Sequence, residues 1–210
     1  MLAILAPGQG SQTPGMLAAW LEDAELKNLL TSYSSAINLD LERLGTVADA
    51  DEIKDTANAQ PLIVAASLIS AHALGSDVNT SFVAGHSVGE IAAAALAATL
   101  TELDAMKLVH LRGQEMAKAA ALAPAGMSAV LGGERSVVLA AIKELGLVAA
   151  NDNGAGQIVA AGNLDALSKL APEGARVRAL AVAGAFHTPF MEPAVAPLRA
   201  MAADIETSDA

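Results

Sequence analysis

Cysteine is absent from this chain of 210 residues. Its absence excludes thiolate nucleophiles, thiol redox motifs and cysteine-ligated zinc or iron–sulfur sites. The four histidines lie far apart in the sequence and form no pair with the spacing of metal ligands. We therefore expect no metal site, and any covalent chemistry must use a group other than sulfur.

Aromatic and basic residues are also scarce. Aromatic side chains make up 2% of the chain, and 12 Lys and Arg stand against 23 Asp and Glu, for a formal charge of −11. Such a balance repels phosphate backbones and leaves few rings on which bases stack. Nucleic acid is therefore excluded as an expected partner.

Charged residues account for only 17% of the chain, whereas 53% of the residues are apolar. This composition predicts a well-packed globular protein. Apolar stretches such as residues 91–100 are shorter than the ~20 residues that a membrane span needs. The first ten residues lack a basic region and meet Pro7 early, so they do not predict a secretory signal. We expect a cytoplasmic protein with no membrane span.

Strand and helix patterns alternate in the first part of the chain, which predicts an α/β fold. Residues 2–6 (LAILA) read as a buried strand and break into the loop PGQGSQTPG at 7–15. Pro61 is expected to open a helix over residues 61–74, because proline suits a first helical turn. Residues 81–85 (SFVAG) form the next predicted strand, and an alanine-rich helix follows.

Two further patterns complete the predicted architecture. Thr101 and Asp104 have the spacing of a capping box for a helix that extends to about residue 122. From residue 126 onward the order of predicted elements is β-α-β-β-α-β, with a last strand over 175–184, and this order is typical of ferredoxin-like domains. We therefore predict a small lobe at 125–185, inserted into a larger α/β lobe formed by 1–124 and 186–210.

Residues 85–89 (GHSVG) match the pattern G-x-S-x-G between a predicted strand and a predicted helix. In this context the glycines allow a sharp turn that presents the hydroxyl of Ser87 at a helix N-terminus. There the amide of Val88 is placed to stabilise an oxyanion. The alternative is a purely structural strand-to-helix turn.

A serine nucleophile needs a base, and His187 on the loop 184–194 is the candidate. His72 and His110 lie on apolar helical faces and favour a structural role, and His86 is adjacent to Ser87 and poorly placed. Residues 8–12 (GQGSQ) fit neither the P-loop nor the Rossmann pattern. They form either a loop that lines the site or a plain turn.

Six segments together resemble the malonyl-CoA:acyl carrier protein transacylases and the related acyltransferase domains of polyketide synthases. They are PGQGSQ (7–12), QP (60–61), GHSVGE (85–90), RGQEM (112–116), NDNGAGQIVAAG (151–162) and AFHTPFM (185–191). Their order and approximate spacing match those of the family. The resemblance implies an α/β-hydrolase-like large lobe with an inserted ferredoxin-like small lobe.

The resemblance also implies a role for each matching residue. Ser87 is the nucleophile that carries the malonyl group as an ester, and His187 is the general base and acid. The amides of Gln9 and Val88 form the oxyanion hole. Arg112 binds the malonyl carboxylate with its planar, permanently charged guanidinium. The implied substrate-binding residues are Arg112, Gln9, Met116, Gln60 and Phe186. For Arg112 the alternative is a helical ion pair with Glu115.

The implied partners are malonyl-CoA as donor and acyl carrier protein as acceptor, whose phosphopantetheine supplies the thiol. No other cofactor is expected. An acidic carrier protein requires a local basic patch, for which Lys143, Lys169, Arg176 and Arg178 are candidates; a solvated charged face explains these residues equally well. A complete chain is expected to be a monomer.

Family members extend beyond the region of His187, and that extension orients the histidine through a backbone carbonyl. The resemblance therefore implies that the large lobe is C-terminally incomplete, with Asp152 as a candidate substitute acceptor. Two alternatives follow from these patterns. One is a serine thioesterase or esterase, and the other is a non-catalytic fragment that binds acyl carrier protein.

Overall fold

The computed structural model describes residues 2–75 and 80–210. The chain divides into two compact units, which are treated separately below. Unit 1 comprises Met1–Gln114 and Pro197–Ala210, and unit 2 comprises Glu115–Ala196. The architecture is mixed α/β, as predicted.

Both units contain strands and helices, which are numbered in chain order. The strands are β1 (Ala3–Ala6), β2 (Phe82–Gly85), β3 (Ala125–Gly132), β4 (Val148–Asp152), β5 (Gln157–Asn163) and β6 (Ala175–Ala179). The helices are α1 (Ala24–Ile37), α2 (Leu41–Thr46), α3 (Ala50–Lys54), α4 (Thr56–Leu74), α5 (Gly89–Leu96), α6 (Glu102–Ala120), α7 (Arg135–Glu144), α8 (Leu164–Ser168) and α9 (Glu192–Ala203). Short 3₁₀ helices lie at Trp20–Glu22 and Pro189–Met191.

In unit 1, β1 and β2 pair in parallel, with Ala6 opposite Gly85. Parallel neighbours end at the same edge of a sheet, so the loops that follow the two strands meet there. The prediction that β1 is a buried strand is wrong for one face, since Leu5 is 74% exposed whereas Ala6 is buried. An apolar run indicates a strand, but it does not reveal how many of its faces are covered.

Helix α4 begins at Thr56, five residues before the predicted start at Pro61. The side chain of Asp55 caps the helix by accepting a hydrogen bond from the amide of Ala57 at 2.8 Å. Pro61 therefore lies inside the helix, where it lacks the N–H that would bond to the carbonyl of Ala57. The prediction was wrong because an aspartate cap and five further helical residues precede the proline.

Among the described residues, α4 alone is long and apolar enough to cross a membrane by length and composition. Eleven of its 19 residues are buried in unit 1. Its core partners lie on α1, α2 and α5 and include Leu30, Leu44 and Ala92. This burial is typical of the central helix of a packed core, whose apolar side chains face protein on several sides.

The predicted cap of α6 by Thr101 is confirmed, but the carboxylate of Asp104 bonds to the Thr101 hydroxyl and not to its amide, so the second bond of a capping box differs from the prediction. The amide of Asp104 donates to the hydroxyl oxygen of Thr101 at 3.1 Å, and that hydroxyl donates to the carboxylate of Asp104 at 2.7 Å. The helix ends at Ala120, close to the predicted end. The cap fixes the start of the helix that carries Arg112.

Unit 2 contains an antiparallel sheet with the strand order β4-β5-β3-β6. In the sequence, α7 follows β3 and α8 follows β5, which yields the order β-α-β-β-α-β. The core of this unit includes Val130, Ile142, Ile158 and Leu167. The last predicted strand is shorter than expected: β6 ends at Ala179 because the chain turns there, with the amide of Val182 bonded to the carbonyl of Leu180.

Candidate active site

The segment from Gly85 to Gly89 turns sharply from β2 into α5, and Ser87 occupies its tip. Ser87 has a φ of +55°, a left-handed conformation that is strained for a residue with a side chain. The amide of Gly89 donates to the carbonyl of His86, and the amide of His86 donates to the carbonyl of Ala6 on β1. These bonds hold the strained turn at the end of the sheet.

The two glycines are required by close backbone contacts. A Cβ atom on Gly85 would lie 2.1 Å from the carbonyl carbon of Gly89, so the strand and the helix approach too closely for a side chain. A Cβ atom on Gly89 would lie 2.3 Å from the carbonyl oxygen of Ala6. The pattern G-x-S-x-G therefore matches the geometry of a turn packed against both strands.

Replacing Gly89 with alanine is expected to reduce the free energy of unfolding by about 3 kcal/mol, because backbone atoms of β1 must move to admit the methyl group. Gly15→Ala is the matched control: Gly15 has a φ of +75° with no atom near the added Cβ, so it costs only ~1–2 kcal/mol of backbone strain. Urea unfolding compares the two variants. An equal loss in both would contradict the proposed steric role of Gly89.

Val88 immediately precedes the first turn of α5 and is buried. The first amides of a helix have no acceptor within that helix, and the helix dipole makes this end electropositive. No side chain caps the helix at Val88. The amides of Gly89, Glu90 and Ile91 already donate to the carbonyls of His86, Ser87 and Val88. The amide of Val88, next to Ser87 at this electropositive end, is therefore the one suited to stabilise negative charge that develops beside Ser87.

Arg112 on α6 lies beside this turn. Its Nη2 atom donates to Oγ of Ser87 at 3.3 Å, and its Nη1 atom donates to Oε1 of Gln60 at 2.6 Å. Glu115 pairs with Lys118. The alternative of an Arg112–Glu115 ion pair is therefore contradicted, and the guanidinium points to the predicted nucleophile.

A close helix contact brings Arg112 to this position. A Cβ atom on Gly113 would lie 2.9 Å from the carbonyl oxygen of Thr56, so α6 approaches the first turn of α4 at a glycine. Since Gln60 lies one turn further along α4, its side chain meets that of Arg112. A larger residue at position 113 would separate the two helices.

The charge of Arg112 is partly removed from water. Burial lowers the pKa of Arg112 below its ordinary range, and the negative charge of Glu90 on α5 partly offsets this effect. An arginine remains protonated at neutral pH under these conditions. A fixed cation thus lies in hydrogen-bond contact with Ser87, a position suited to binding an anionic substrate group.

Two glutamines extend the polar cluster away from Ser87. Gln9 lies on the loop after β1, and its Nε2 atom donates to the hydroxyl oxygen of Thr56 at 3.2 Å. The Nε2 atom of Gln60 donates to Oε1 of Gln9 at 3.5 Å. Gln60 and Thr56 are each 1% exposed. The loop over residues 8–12 therefore lines the cluster, as one of the two sequence interpretations held.

A sequence profile of the acyl transferase domain matches residues 4–210. The chain belongs to the acyl transferase family. A malonyl CoA-acyl carrier protein transacylase of Mycobacterium tuberculosis is 56% identical over 219 residues, which span 100% of this chain and 72% of the relative. A protein of the same name from Bacillus subtilis is 35% identical over 222 residues, spanning 99% of this chain and 70% of the relative. The resemblance predicted from six sequence segments is confirmed.

Solved structures of acyl transferases agree with this assignment. The crystal structure of MCAT from Mycobacterium tuberculosis matches this chain with a TM-score of 0.96 at 56% identity. The match covers 100% of this chain and 72% of the solved chain. Malonyl-CoA:acyl carrier protein transacylase from Helicobacter pylori has a TM-score of 0.89 at 31% identity, covering 100% of this chain and 70% of its own. Both similarities extend over the whole of the present acyl transferase chain.

The remaining predicted site residues of the acyl transferase belong to unit 2. His187 is exposed and has a φ of +59° on a turn where the hydroxyl of Thr188 donates to the carbonyl of Ala185 at 2.6 Å. Phe186 is buried beside it in the sequence, and Met116 is buried on α6, one turn after Arg112. These residues keep the roles predicted for them as proposals.

Asp152, considered as a partner for the histidine, pairs instead with Arg135 at 2.7 Å. That bond is the largest cause of the lowered pKa of Asp152. The four predicted basic residues, Lys143, Lys169, Arg176 and Arg178, are exposed in unit 2. Arg176 and Arg178 share one face of β6, since alternate residues of a strand point the same way.

Sequence analysis missed two residues of the unit 1 cluster, Thr56 and Glu90. Thr56 lies four residues before Gln60, a spacing that places both on one face of a helix. This signal was not used because the predicted helix began only at Pro61. Glu90 is the last residue of the segment GHSVGE, but its electrostatic effect on Arg112 depends on the packing of α5 near α6.

His110 lies on α6 near Arg112, and its buried Nδ1 atom is the one buried side-chain N or O atom without a hydrogen-bond partner among the described residues. Burial lowers the pKa of His110 below its ordinary 6.5. The unfolded chain therefore takes up a proton near pH 6.5 before the folded chain does, so stability falls as the pH falls below that value.

His110→Gln is expected to remove this contribution to acid sensitivity. Urea unfolding at pH 7.5 and pH 5.5 should show a smaller loss of stability in the variant than in the wild type, by less than ~1.4 kcal/mol per pH unit. All other titrating groups are common to both proteins, so the difference isolates His110. Equal losses of stability in the wild type and the variant would mean that His110 is protonated to the same extent in the folded and unfolded chains.

Proposed function

We propose that this acyl transferase moves a malonyl group from malonyl-CoA to the phosphopantetheine thiol of acyl carrier protein through an ester on Ser87. The observation that carries the proposal is the strained Ser87, whose Oγ atom lies 3.3 Å from the guanidinium of Arg112 at the start of α5. Relatives named malonyl CoA-acyl carrier protein transacylase support it.

In the first half-reaction, Oγ of Ser87 attacks the thioester carbonyl carbon of malonyl-CoA. His187 accepts the serine proton and returns it to the departing CoA thiolate as the carbon–sulfur bond breaks. The amides of Gln9 and Val88 stabilise the tetrahedral oxyanion. The location of Val88 before the first turn of α5 supports this role for its amide.

In the second half-reaction, the phosphopantetheine thiol gives its proton to His187 and attacks the ester carbonyl of malonyl-Ser87. The ester C–O bond breaks, and His187 returns the proton to Ser87. Both half-reactions pass through the same kind of intermediate, so one oxyanion hole serves both. The result is a ping-pong cycle that supplies malonyl units for fatty acid synthesis.

Arg112 binds the free carboxylate of the malonyl group through its two terminal nitrogens. Its hydrogen bonds to Gln60 and Ser87 keep it beside the nucleophile and support this role. Gln9, Gln60, Met116 and Phe186 complete the substrate-binding set. The reaction requires no metal and no bound cofactor.

We assign residues 1–124 and 186–210 to an α/β-hydrolase-like lobe and residues 125–185 to a ferredoxin-like lobe. The parallel pair β1–β2 before α5 supports the first assignment, and the order of β3 to β6 supports the second. We place the enzyme in the cytoplasm with malonyl-CoA and acyl carrier protein as its partners. The exposed basic residues of unit 2 are the proposed contact for an acidic carrier protein.

The test is a two-stage transfer followed by intact-protein mass spectrometry. The chain is first mixed with malonyl-CoA, and phosphopantetheine-loaded acyl carrier protein is then added. We expect a malonyl increment on the chain that moves to the carrier protein. Loss of the increment to water, with an unmodified carrier protein, would support the thioesterase alternative. A folded chain that never gains the increment would support the binding-fragment alternative and overturn the proposal.

A further inference from the structure

Thr56 terminates a chain of side-chain hydrogen bonds that begins at Ser87. The chain runs from Oγ of Ser87 through Arg112, Gln60 and Gln9 to the Thr56 hydroxyl, with distances of 3.3, 2.6, 3.5 and 3.2 Å. All five residues belong to unit 1. We propose that Thr56 is a positioning residue that makes this enzyme selective for malonyl over uncharged acyl groups. The inference rests on the proposed function.

The direction of the hydrogen bonds is determined at the arginine end. A guanidinium only donates, so the Gln60 side chain presents its carbonyl oxygen to Arg112. The amide nitrogen of Gln60 therefore donates to the carbonyl of Gln9, which leaves the amide nitrogen of Gln9 to find an acceptor. The hydroxyl oxygen of Thr56 is that acceptor.

Burial makes the last acceptor important. Thr56 and Gln60 are each 1% exposed and Gln9 is half-buried, so water can replace the Thr56 hydroxyl as acceptor only from the side of the Gln9 loop. An amide donor left without an acceptor in such a place is unfavourable, and Gln9 would escape by rotating toward the open side of its loop. The side-chain carbonyl of Gln9, which accepts the hydrogen bond from Gln60, would then rotate away together with the Gln9 amide.

Arg112 would then lose its fixed neighbour. Without the hydrogen bond to Gln9, the side chain of Gln60 is held less firmly in its present orientation, and the 2.6 Å bond that holds the guanidinium is weakened. A carboxylate is bound well by two terminal nitrogens only when they are held in one plane and position. An acyl group without a carboxylate makes no such demand, so selectivity, and not acylation itself, depends on Thr56.

Thr56→Val and Thr56→Ser form the matched pair of variants. Valine keeps the shape of threonine and removes the hydroxyl, whereas serine keeps the hydroxyl. We expect Thr56→Val to raise the KM for malonyl-CoA on the order of tenfold, with the rate of acetyl loading from acetyl-CoA changed by less than about twofold. Thr56→Ser should retain most of the wild-type ratio of malonyl to acetyl loading.

The readout is the rate of malonyl and acetyl increments on the intact chain, with thermal unfolding of each variant as a measure of folding. Equal changes in malonyl and acetyl loading, or a serine variant that behaves like the valine variant, would overturn the positioning role. A wild-type chain that gains no malonyl increment would instead overturn the proposed function, and this inference with it. Loss of selectivity in Thr56→Val alone supports both.

Discussion

Ser87→Ala is expected to abolish the malonyl increment that malonyl-CoA produces on this acyl transferase. The side chain at position 87 is the only part of the residue that forms the ester, and no other atom can replace it without a change of mechanism. The half-buried hydroxyl lies at the tip of a strained turn and contacts Arg112. Intact-protein mass after mixing with malonyl-CoA measures the effect directly.

The control is Ser32→Ala, which removes an exposed hydroxyl that bonds only locally, to the carbonyl of Leu29 on α1. This variant should gain the malonyl increment at the wild-type rate. The Ser87→Ala variant should also unfold at a temperature close to that of the wild type, because alanine tolerates the turn no worse than serine. A persistent increment in folded Ser87→Ala would remove Ser87 from its role.

Arg112→Ala is expected to reduce malonyl loading on the order of 100-fold and acetyl loading far less. Truncation removes two charge-assisted hydrogen bonds to the substrate carboxylate, and at the lower end of their range, ~1.5 kcal/mol each, their loss corresponds to roughly 100-fold. Acetyl-CoA has no carboxylate for the guanidinium to bind. Competition between the two donors, read from the masses of the increments, measures the change in selectivity.

Arg112→Lys separates charge from geometry. Lysine keeps the positive charge and lacks the planar fork that binds both carboxylate oxygens, so malonyl loading should lie between the values for arginine and alanine. Arg199→Ala removes an exposed cation of unit 1 and serves as the control for net charge. Equal losses of malonyl and acetyl loading in Arg112→Ala would leave Arg112 with a structural role only.

The Thr56 and Arg112 experiments test one arrangement at two points. If Thr56 acts through Arg112, then Thr56→Val should have no further effect on selectivity once Arg112 is alanine, since the two changes remove the same function. Additive losses in the double variant would place Thr56 on a separate path to the substrate.

Local patterns in the sequence were sufficient for several elements of the fold. The turn around Ser87 was predicted because glycines two positions on either side of a serine, between a strand and a helix, allow one backbone geometry. The cap of α6 was predicted for a similar reason, because Thr101 and Asp104 bond to groups within four residues of themselves.

Predictions failed where a local signal was overlooked or where the outcome depended on distant residues. The start of α4 was misplaced because proline was given more weight than the aspartate cap at Asp55. The exposure of Leu5 depends on which elements cover the β1–β2 pair, and β6 ends early because the chain turns after Ala179. The local hydrophobic pattern is the same for either outcome in each case, so it could not distinguish between them.

The sequence by itself determined the family, the G-x-S-x-G turn around Ser87 and most residues of the candidate site, but not Thr56 or Glu90. These features depend on residue type and short spacing, which are properties of the chain. Only the tertiary structure decided that Arg112 pairs with Gln60 and Ser87 in place of Glu115, and that Thr56 ends the hydrogen-bond chain. Those contacts join residues 25 to 52 positions apart in the chain, and the one between Arg112 and Gln60 depends on the close approach of α6 to α4 at Gly113.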